Sequence, residues 1–383
     1  MPVAMATELV TRTRLRRLAE VRPPRGRVLS VFVNLDPTEL PTPPARATAI
    51  SSILTEAAHR VEKVEAPHAE REELKHDLHQ VEEVLRDGSL ASDGTHGVAL
   101  YVCRAAGLLE LIRLPHPVRS QVIVDRAPFV EPLVREADEE LWSVLLANRR
   151  VARIFSGVPE RLEETDRIVD NVRQQHDQGG WSQANYQRSV EKDKDDHVVH
   201  TVDVLFEAHK AHPIDHLLLG SPPELLTTYE HRLHPYLRER LVGRLHLDEE
   251  QASIDDVRRQ AVEAATEWTG RCERAELDRL AEGVGRGDRG AAGLAAVLDA
   301  LNTARVELLL VQPGLREPGF RDPELDLLFA TEAAAPDGRA LEPVEDVVEA
   351  ALAKAIEQSA GVRVVRHHDD LGPLGGIGAV LRF

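Results

Sequence analysis

Cysteine is nearly absent: Cys103 and Cys272 are the two thiols in 383 residues, far apart and without CxxC spacing. That excludes a disulfide framework and a zinc finger. Lysine is almost as scarce, six in all, so positive charge comes as planar arginine forks suited to phosphate and to base stacking. No apolar run approaches bilayer length, and the first residues carry no apolar signal core. Both absences point to a cytoplasmic protein with no membrane partner. GxSxG, the Walker loop and the kinase signature set are also missing, so classical hydrolase and NTPase readings have no footing. No cofactor is expected. A formal charge of −18 argues against indiscriminate binding to nucleic acid. It leaves room for RNA contact through local basic patches, because phosphate affinity depends on where the arginines lie.

What is present is an ordinary globular composition, 42% hydrophobic and 29% charged, in a chain too long for one core. The patterning divides it into three domains, 1–132, 133–268 and 269–383, of mixed α/β class. The first reads as α+β. A short helical stretch opens it, carrying Arg12, Arg14, Arg16 and Arg17, with Arg22, Arg25 and Arg27 beyond. Such a cluster serves as a solvated helix face or as an RNA-binding patch, and both readings stay open. Val28–Leu35 alternates as a strand, Ala45–Val64 and Ala69–Asp87 read as helices, and Val98–Cys103, Leu108–Leu114 and Gln121–Val124 as strands. Cys103 is expected in the core.

In the second domain, Leu141–Leu146 and Val151–Phe155 form a hairpin. Arg161–Gln178 is polar and reads as a loop with some helix. There follows the stretch Gly179-Gly180-Trp181-Ser182-Gln183, which opens a helix running to about Ala211. Paired glycines allow close backbone approach, and a helix starting just after them aims free N–H groups outward. Gln183 could orient a water, Trp181 could stack on a base, and Gln187 and Arg188 lie near enough to follow phosphates. Tyr186, Val190, Val198, Val202, Leu205 and Phe206 supply one apolar stripe along that helix. Ile214–Gly220 reads as a buried strand, with Pro222 opening the next helix. His197, His200, His209, His212 and His216 crowd this region. HxxH puts two imidazoles on one helix face, but no third ligand stands at a recognisable spacing and the HExxH glutamate is missing. No metal site is expected.

The third domain reads as a helix through Ala275–Gly283, a flexible polar break over Gly283–Gly290, a helix Leu294–Leu301 and a strand Val306–Val311. Pro313–Pro343 reads as a surface loop or small insertion; a helix Val344–Gln358, a strand Val362–Arg366 and a last strand follow. Alternation of this kind gives an α/β/α sandwich. Gly285, Gly287 and Gly290 match GxGxxG in spacing but follow a helix; Gly375, Gly376 and Gly378 precede a strand. Neither fits a phosphate loop.

The tail GGIGAVLRF is similar to the closing motif of archaeal and eukaryotic class-one peptide-chain release factors. AAGLAAVLDALNTARVELLLV resembles the helix and strand that begin the third domain of those factors and of Pelota. GGWSQ with its long charged helix sits where that superfamily keeps its Gly-Gly-Gln loop. Over residues 140–383 the chain thus resembles a bacterial member of the superfamily, which includes the Vms-type peptidyl-tRNA hydrolases and the hibernation factor Balon. The resemblance implies a first domain near the decoding centre, and a middle domain reaching the peptidyl-transferase centre with Gly179, Gly180 and Gln183 at its tip. It implies a third domain similar to the kink-turn-binding ribosomal-protein fold, used for docking. Gly179, Gly180, Trp181, Ser182, Gln187 and Arg188 would contact rRNA, and Gln183 would be the catalytic group, placing water against the peptide–tRNA ester. Trp181 and Ser182 separate the second glycine from the glutamine, a spacing that looks like the Vms-type loop. NIKS and YxCxxxF are absent from the first domain, which speaks against stop-codon reading. Two functions remain: a factor occupying the A site of idle ribosomes, Balon-like, alone or with elongation factor Tu; or a hydrolase releasing nascent peptide from peptidyl-tRNA. A third is an RNA-binding protein without ribosome function.

Overall fold

The computed structural model describes residue 10 and residues 12–383, apart from 24, 88–89, 91–94, 115, 138–139, 171–182 and 335–339; the side chains of 12, 135–137 and 183–194 are also outside the description. Two compact units result, one built from Met1–Glu139 with Glu273–Phe383 and the other from Glu140–Cys272. The mixed α/β class expected from the sequence is what the chain adopts.

The first unit begins with α1 (Arg12–Ala19), β1 (Val28–Asn34), α2 (Pro43–Lys63), α3 (His68–Arg86), β2 (Gly97–Cys103), β3 (Leu108–Leu114), β4 (Gln121–Asp125) and α4 (Glu131–Ala137). Its strands form an antiparallel sheet in the order β3-β2-β1-β4. β1 lies inside the sheet, and its alternate side chains enter two separate cores. Leu29, Val31 and Val33 join Ile53, Ala57, Leu74 and Val81 of α2 and α3. Val28 and Phe32 face the other way, with Tyr101 and Cys103 of β2. Period-two side-chain alternation makes this double use possible. Thr42 caps α2 by accepting a hydrogen bond from the Ala45 N–H at 3.3 Å, and prolines fill the first helical positions, where no N–H is needed.

The second unit contains β5 (Trp142–Ala147), β6 (Val151–Gly157), β7 (Glu163–Val169), α5 (Gln183–Ala211), β8 (His216–Gly220), α6 (Pro223–Arg232), α7 (Pro235–Arg238), β9 (Leu241–Leu245) and most of α8 (Ile254–Arg286). The sheet order is β7-β6-β5-β8-β9, antiparallel through β5, β6 and β7 and parallel through β5, β8 and β9. Leu145, Ala147 and Ile154 pack with Val198, Val202 and Leu205 of α5 and Leu225 and Tyr229 of α6. Trp142, Val144 and Phe155 pack with Val257 and Ala261 of α8. A sheet buried on both faces explains why β5 and β8 read as continuous apolar runs.

The end of α8, from Glu273 on, belongs to the first unit. After it come β10 (Gly290–Ala292), α9 (Leu294–Asn302), β11 (Val306–Val311), β12 (Gly319–Asp322), β13 (Leu327–Phe329), β14 (Glu342–Val344), α10 (Val347–Glu357), β15 (Gly361–Val364) and β16 (Ile377–Leu381). The main sheet runs β10-β16-β11-β15. Val297 and Leu301 of α9 and Val348 and Leu352 of α10 cover one face, and Leu277 and Leu280 of α8 cover the other. This is the α/β/α sandwich expected from the sequence. One expectation is corrected. The expected polar break at 283–290 is instead the end of α8, a tight turn and the start of β10: a Cβ on Gly290 would lie 2.4 Å from the Val284 backbone nitrogen. The segment 313–343, read as a surface loop or small insertion, carries a small antiparallel sheet, β13-β12-β14.

The terminal segments share a core. Ala353 and Ile356 of α10 and Val364 of β15 sit with Leu15 and Leu18 of α1, Phe32 of β1 and Leu133 of α4. The expected boundary near residue 268 falls inside the continuous helix α8.

Candidate functional site

The segment 161–178, expected as a loop with some helix, contains a strand. β7 pairs with β6 from Ser156↔Glu163 to Val151↔Val169. Its sequence EETDRIV shows no apolar alternation because it is an edge strand with exposed side chains at all positions but Ile168. Tertiary contacts hold it instead. Nε and Nη2 of Arg153 donate to Oε2 of Glu164 at 3.1 and 2.6 Å, and the Thr165 hydroxyl donates to the Ile154 carbonyl at 3.3 Å.

Beyond β7 the Asp170 N–H donates to the Arg150 carbonyl at 2.9 Å, extending the edge pairing by one residue. The Asp170 carboxylate then reaches α5. Its Oδ2 lies 2.7 Å from Nδ1 of His197 and 3.2 Å from Nδ1 of His200. Residues three apart share a helix face, so both imidazoles meet one oxygen. Burial disfavours the Asp170 charge, but hydrogen bonds from the two imidazoles outweigh it and hold the carboxyl below its ordinary pKa. The His197 side chain is fully buried, whereas His200 is half exposed.

Gly179, Gly180, Trp181 and Ser182 lie outside the described residues. Gln183 is the first residue of α5, with Gln187 and Arg188 in its opening turns; of their side chains nothing is described. Val198, Val202 and Leu205 of the expected stripe are buried, and Phe206 is partly so.

The remaining histidines do separate work. His209 accepts the Ile214 N–H at 3.0 Å, and burial together with the Arg240 charge lowers its pKa. His216 pairs with Glu140 and packs against Trp142, ring centroids 4.5 Å apart. His212 is exposed. Among the described residues no group of three or more His, Cys, Asp or Glu could hold a metal ion.

The arginines of α1 divide. Arg14 Nε lies 2.5 Å from Oε1 of Glu110, and Arg17 Nη2 lies 3.0 Å from its Oε2. Arg14 is largely covered, while Arg17 keeps 70% of its side chain in solvent. Arg16 is exposed and donates to the Ser359 hydroxyl. The Arg12 side chain is outside the description. None of the described helices is long and apolar enough to cross a membrane.

Sequence reasoning missed Asp170, which reads as one more acid in a polar run. Its signal was indirect: an HxxH pair whose first member borders the apolar stripe of α5.

The chain is similar over residues 128–266 to the family described as "Bacterial archaeo-eukaryotic release factor family 10", whose model matches that stretch. It is 25% identical over 303 residues to peptide chain release factor subunit 1 of Thermoplasma acidophilum, covering 72% of each chain. Solved structures to which the chain is similar include the archaeal translation termination factor aRF1, at 16% identity and a TM-score of 0.25 over 97% of this chain and 98% of that one. Dom34 of Saccharomyces cerevisiae, described as a translation termination-like factor, matches at 11% identity and a TM-score of 0.41 over 75% and 80%.

Proposed function

We propose that this release-factor-like protein is a cytoplasmic translation factor that occupies the ribosomal A site of idle ribosomes, as a hibernation factor. The observation that carries the reading is the family match across 128–266, the stretch holding Gly179, Gly180 and Gln183. Absence of the NIKS and YxCxxxF patterns favours occupancy over codon reading. Elongation factor Tu is the partner proposed for delivery or co-binding. The test is co-sedimentation of purified protein with vacant ribosomes at low salt, followed by mapping of the bound position. Sedimentation with A-site occupancy is expected; failure to sediment at low salt ends every ribosomal reading.

The second reading is hydrolysis of the peptidyl-tRNA ester. Favouring it, Gln183 begins α5, where unpaired N–H groups and the helix dipole support a developing oxyanion. Peptidyl-tRNA on stalled ribosomes would then be cleaved, and Gln183→Ala would slow cleavage about a hundredfold, as expected for loss of a positioning group. No turnover, or turnover indifferent to Gln183, leaves the occupancy role alone.

A further inference from the structure

We infer that the surface shared by the end of α5, by α6 and by α7 is a stacking platform for single-stranded RNA, with Tyr236 as the base-stacking ring and Arg238 and Arg240 as its phosphate partners. The inference goes beyond the ribosomal reading and does not depend on it.

Four aromatic rings follow one another across this surface. Phe206 of α5 stacks on His234, with ring centroids 3.9 Å apart and planes 17° apart. His209 continues the row on the Phe206 side at 6.3 Å, and Tyr236 of α7 continues it on the His234 side at 5.1 Å. His234 is fixed through Nδ1, which accepts the Tyr236 N–H at 3.4 Å. The last ring of the row stays in water: Tyr236 is 58% exposed. A single exposed aromatic residue is ordinary. One that ends a row of rings already in contact offers a π-face on which a base can extend the row, and such stacking tolerates any sequence.

The charge beside the row points to a polyanion. The chain has 65 acidic and 47 basic residues, and within this unit Arg149, Arg153, Arg232 and Arg244 each meet a carboxylate. Arg238 and Arg240 do not. Arg240 Nη1 donates to the Tyr236 carbonyl at 2.7 Å. Arg238 donates to the Glu230, His231 and Leu233 carbonyls at 3.1, 2.6 and 3.1 Å. Neither arginine has an ion-pair partner among the described residues. Neutral carbonyls hold the two planar forks in place without cancelling their charge. Lys210 adds a cation 5.2 Å from the Phe206 ring, paired with Glu207. Two further carboxylates lie near: Asp215, whose Oδ2 accepts the Leu141 N–H at 2.8 Å and whose charge acts on His209, and the exposed Glu239. An acidic peptide would engage the arginines and leave the rings unused. RNA uses both, phosphate on guanidinium and base on phenol.

The experiment measures binding of the full chain to a fluorescent single-stranded RNA of about ten nucleotides, within the span of one such site, over a range of salt concentrations. Tyr236→Ala should weaken binding about tenfold, the loss of one base–aromatic stack, whereas Tyr236→Phe should bind as wild type does. Both variants should melt at the wild-type temperature, since an exposed ring adds little to the core. Arg240→Gln should lower the slope of log affinity against log salt by about 0.7, one phosphate contact on a single strand, and Arg240→Lys should restore it. Photocrosslinking of iodouridine-substituted RNA to the wild-type chain, mapped by mass spectrometry, reads the contact without any substitution and should land on Tyr236. No binding at low salt, affinity indifferent to Tyr236→Ala, or crosslinks confined to other surfaces overturns the platform. Poly-glutamate bound as tightly as the RNA, and lost with Arg240→Gln but not with Tyr236→Ala, overturns it in favour of an acidic protein partner. A chain that binds the RNA at Tyr236 but does not sediment with ribosomes keeps the platform and ends the ribosomal reading.

Discussion

Glu349 of α10 accepts a hydrogen bond from the Val130 backbone N–H, Oε1 to N 2.5 Å, inside the core that joins the two terminal segments of the chain. Its Oε2 has no partner among the described residues. Around it, the Tyr101 hydroxyl donates to the Phe129 carbonyl at 2.7 Å, and the Phe129 N–H donates to Ser30 Oγ at 3.1 Å. Burial drives the Glu349 carboxyl well above its ordinary pKa, against the opposing effect of the Val130 hydrogen bond, and the nearby Asp346 charge adds to the rise.

That elevation carries a sign. A carboxyl whose pKa is higher in the folded than in the unfolded chain favours folding fully below the unfolded value of about 4.3. The contribution declines as pH rises toward the folded value. Glu349→Gln removes the titration and keeps an acceptor for Val130. The variant should melt at a higher temperature than wild type at pH 8, by a few degrees, and the difference should shrink toward pH 5. Melting curves across pH 5–8 check this; a constant offset would place the effect elsewhere.

The exposed arginines of α1 offer a charge test. Arg16→Glu with Arg17→Glu should weaken ribosome co-sedimentation and flatten its dependence on salt, because fewer counterions are released on binding. Arg14, paired to Glu110 and mostly covered, is the poor choice, since its loss disturbs the fold as well. Affinity measured from about 50 to 200 mM salt distinguishes the two effects.

Trp181→Ala probes stacking. If the indole lies on a base, ribosome affinity should fall by about 1–3 kcal/mol, the range for one base–aromatic contact. Equilibrium binding to vacant ribosomes measures it, and unchanged affinity would remove Trp181 from the interface.

Gly290→Ala tests the glycine spacing at the end of α8. The added methyl would meet backbone, the Val284 nitrogen at 2.4 Å, which cannot rotate aside as a side chain can. Destabilisation of about 1–3 kcal/mol is expected from overpacking. Chemical denaturation measures it. A variant as stable as wild type would mean that the turn relaxes freely.

Much of the architecture was legible locally. β1, β2, β5, β8 and β11 announce themselves as β-branched or leucine-rich runs, and α5 and α9 by apolar positions at helical spacing. The helix expected from about Gln183 to Ala211 is α5. β7 was not legible, because an exposed edge strand needs no apolar face. The 283–290 turn was misread because its glycines look like flexibility, whereas Gly283 and Gly290 permit backbone to approach backbone.

What the sequence determined alone is the inventory of buried strands and long helices, since period and capping act between residues a few positions apart. What only the tertiary structure decided is which distant residues meet: Asp170 with His197 and His200, Glu349 with Val130, Ile356 and Ala353 of α10 with Phe32 of β1. Those meetings depend on the three-dimensional course of the chain. No local pattern of apolar and polar residues encodes which carboxylate will face which imidazole.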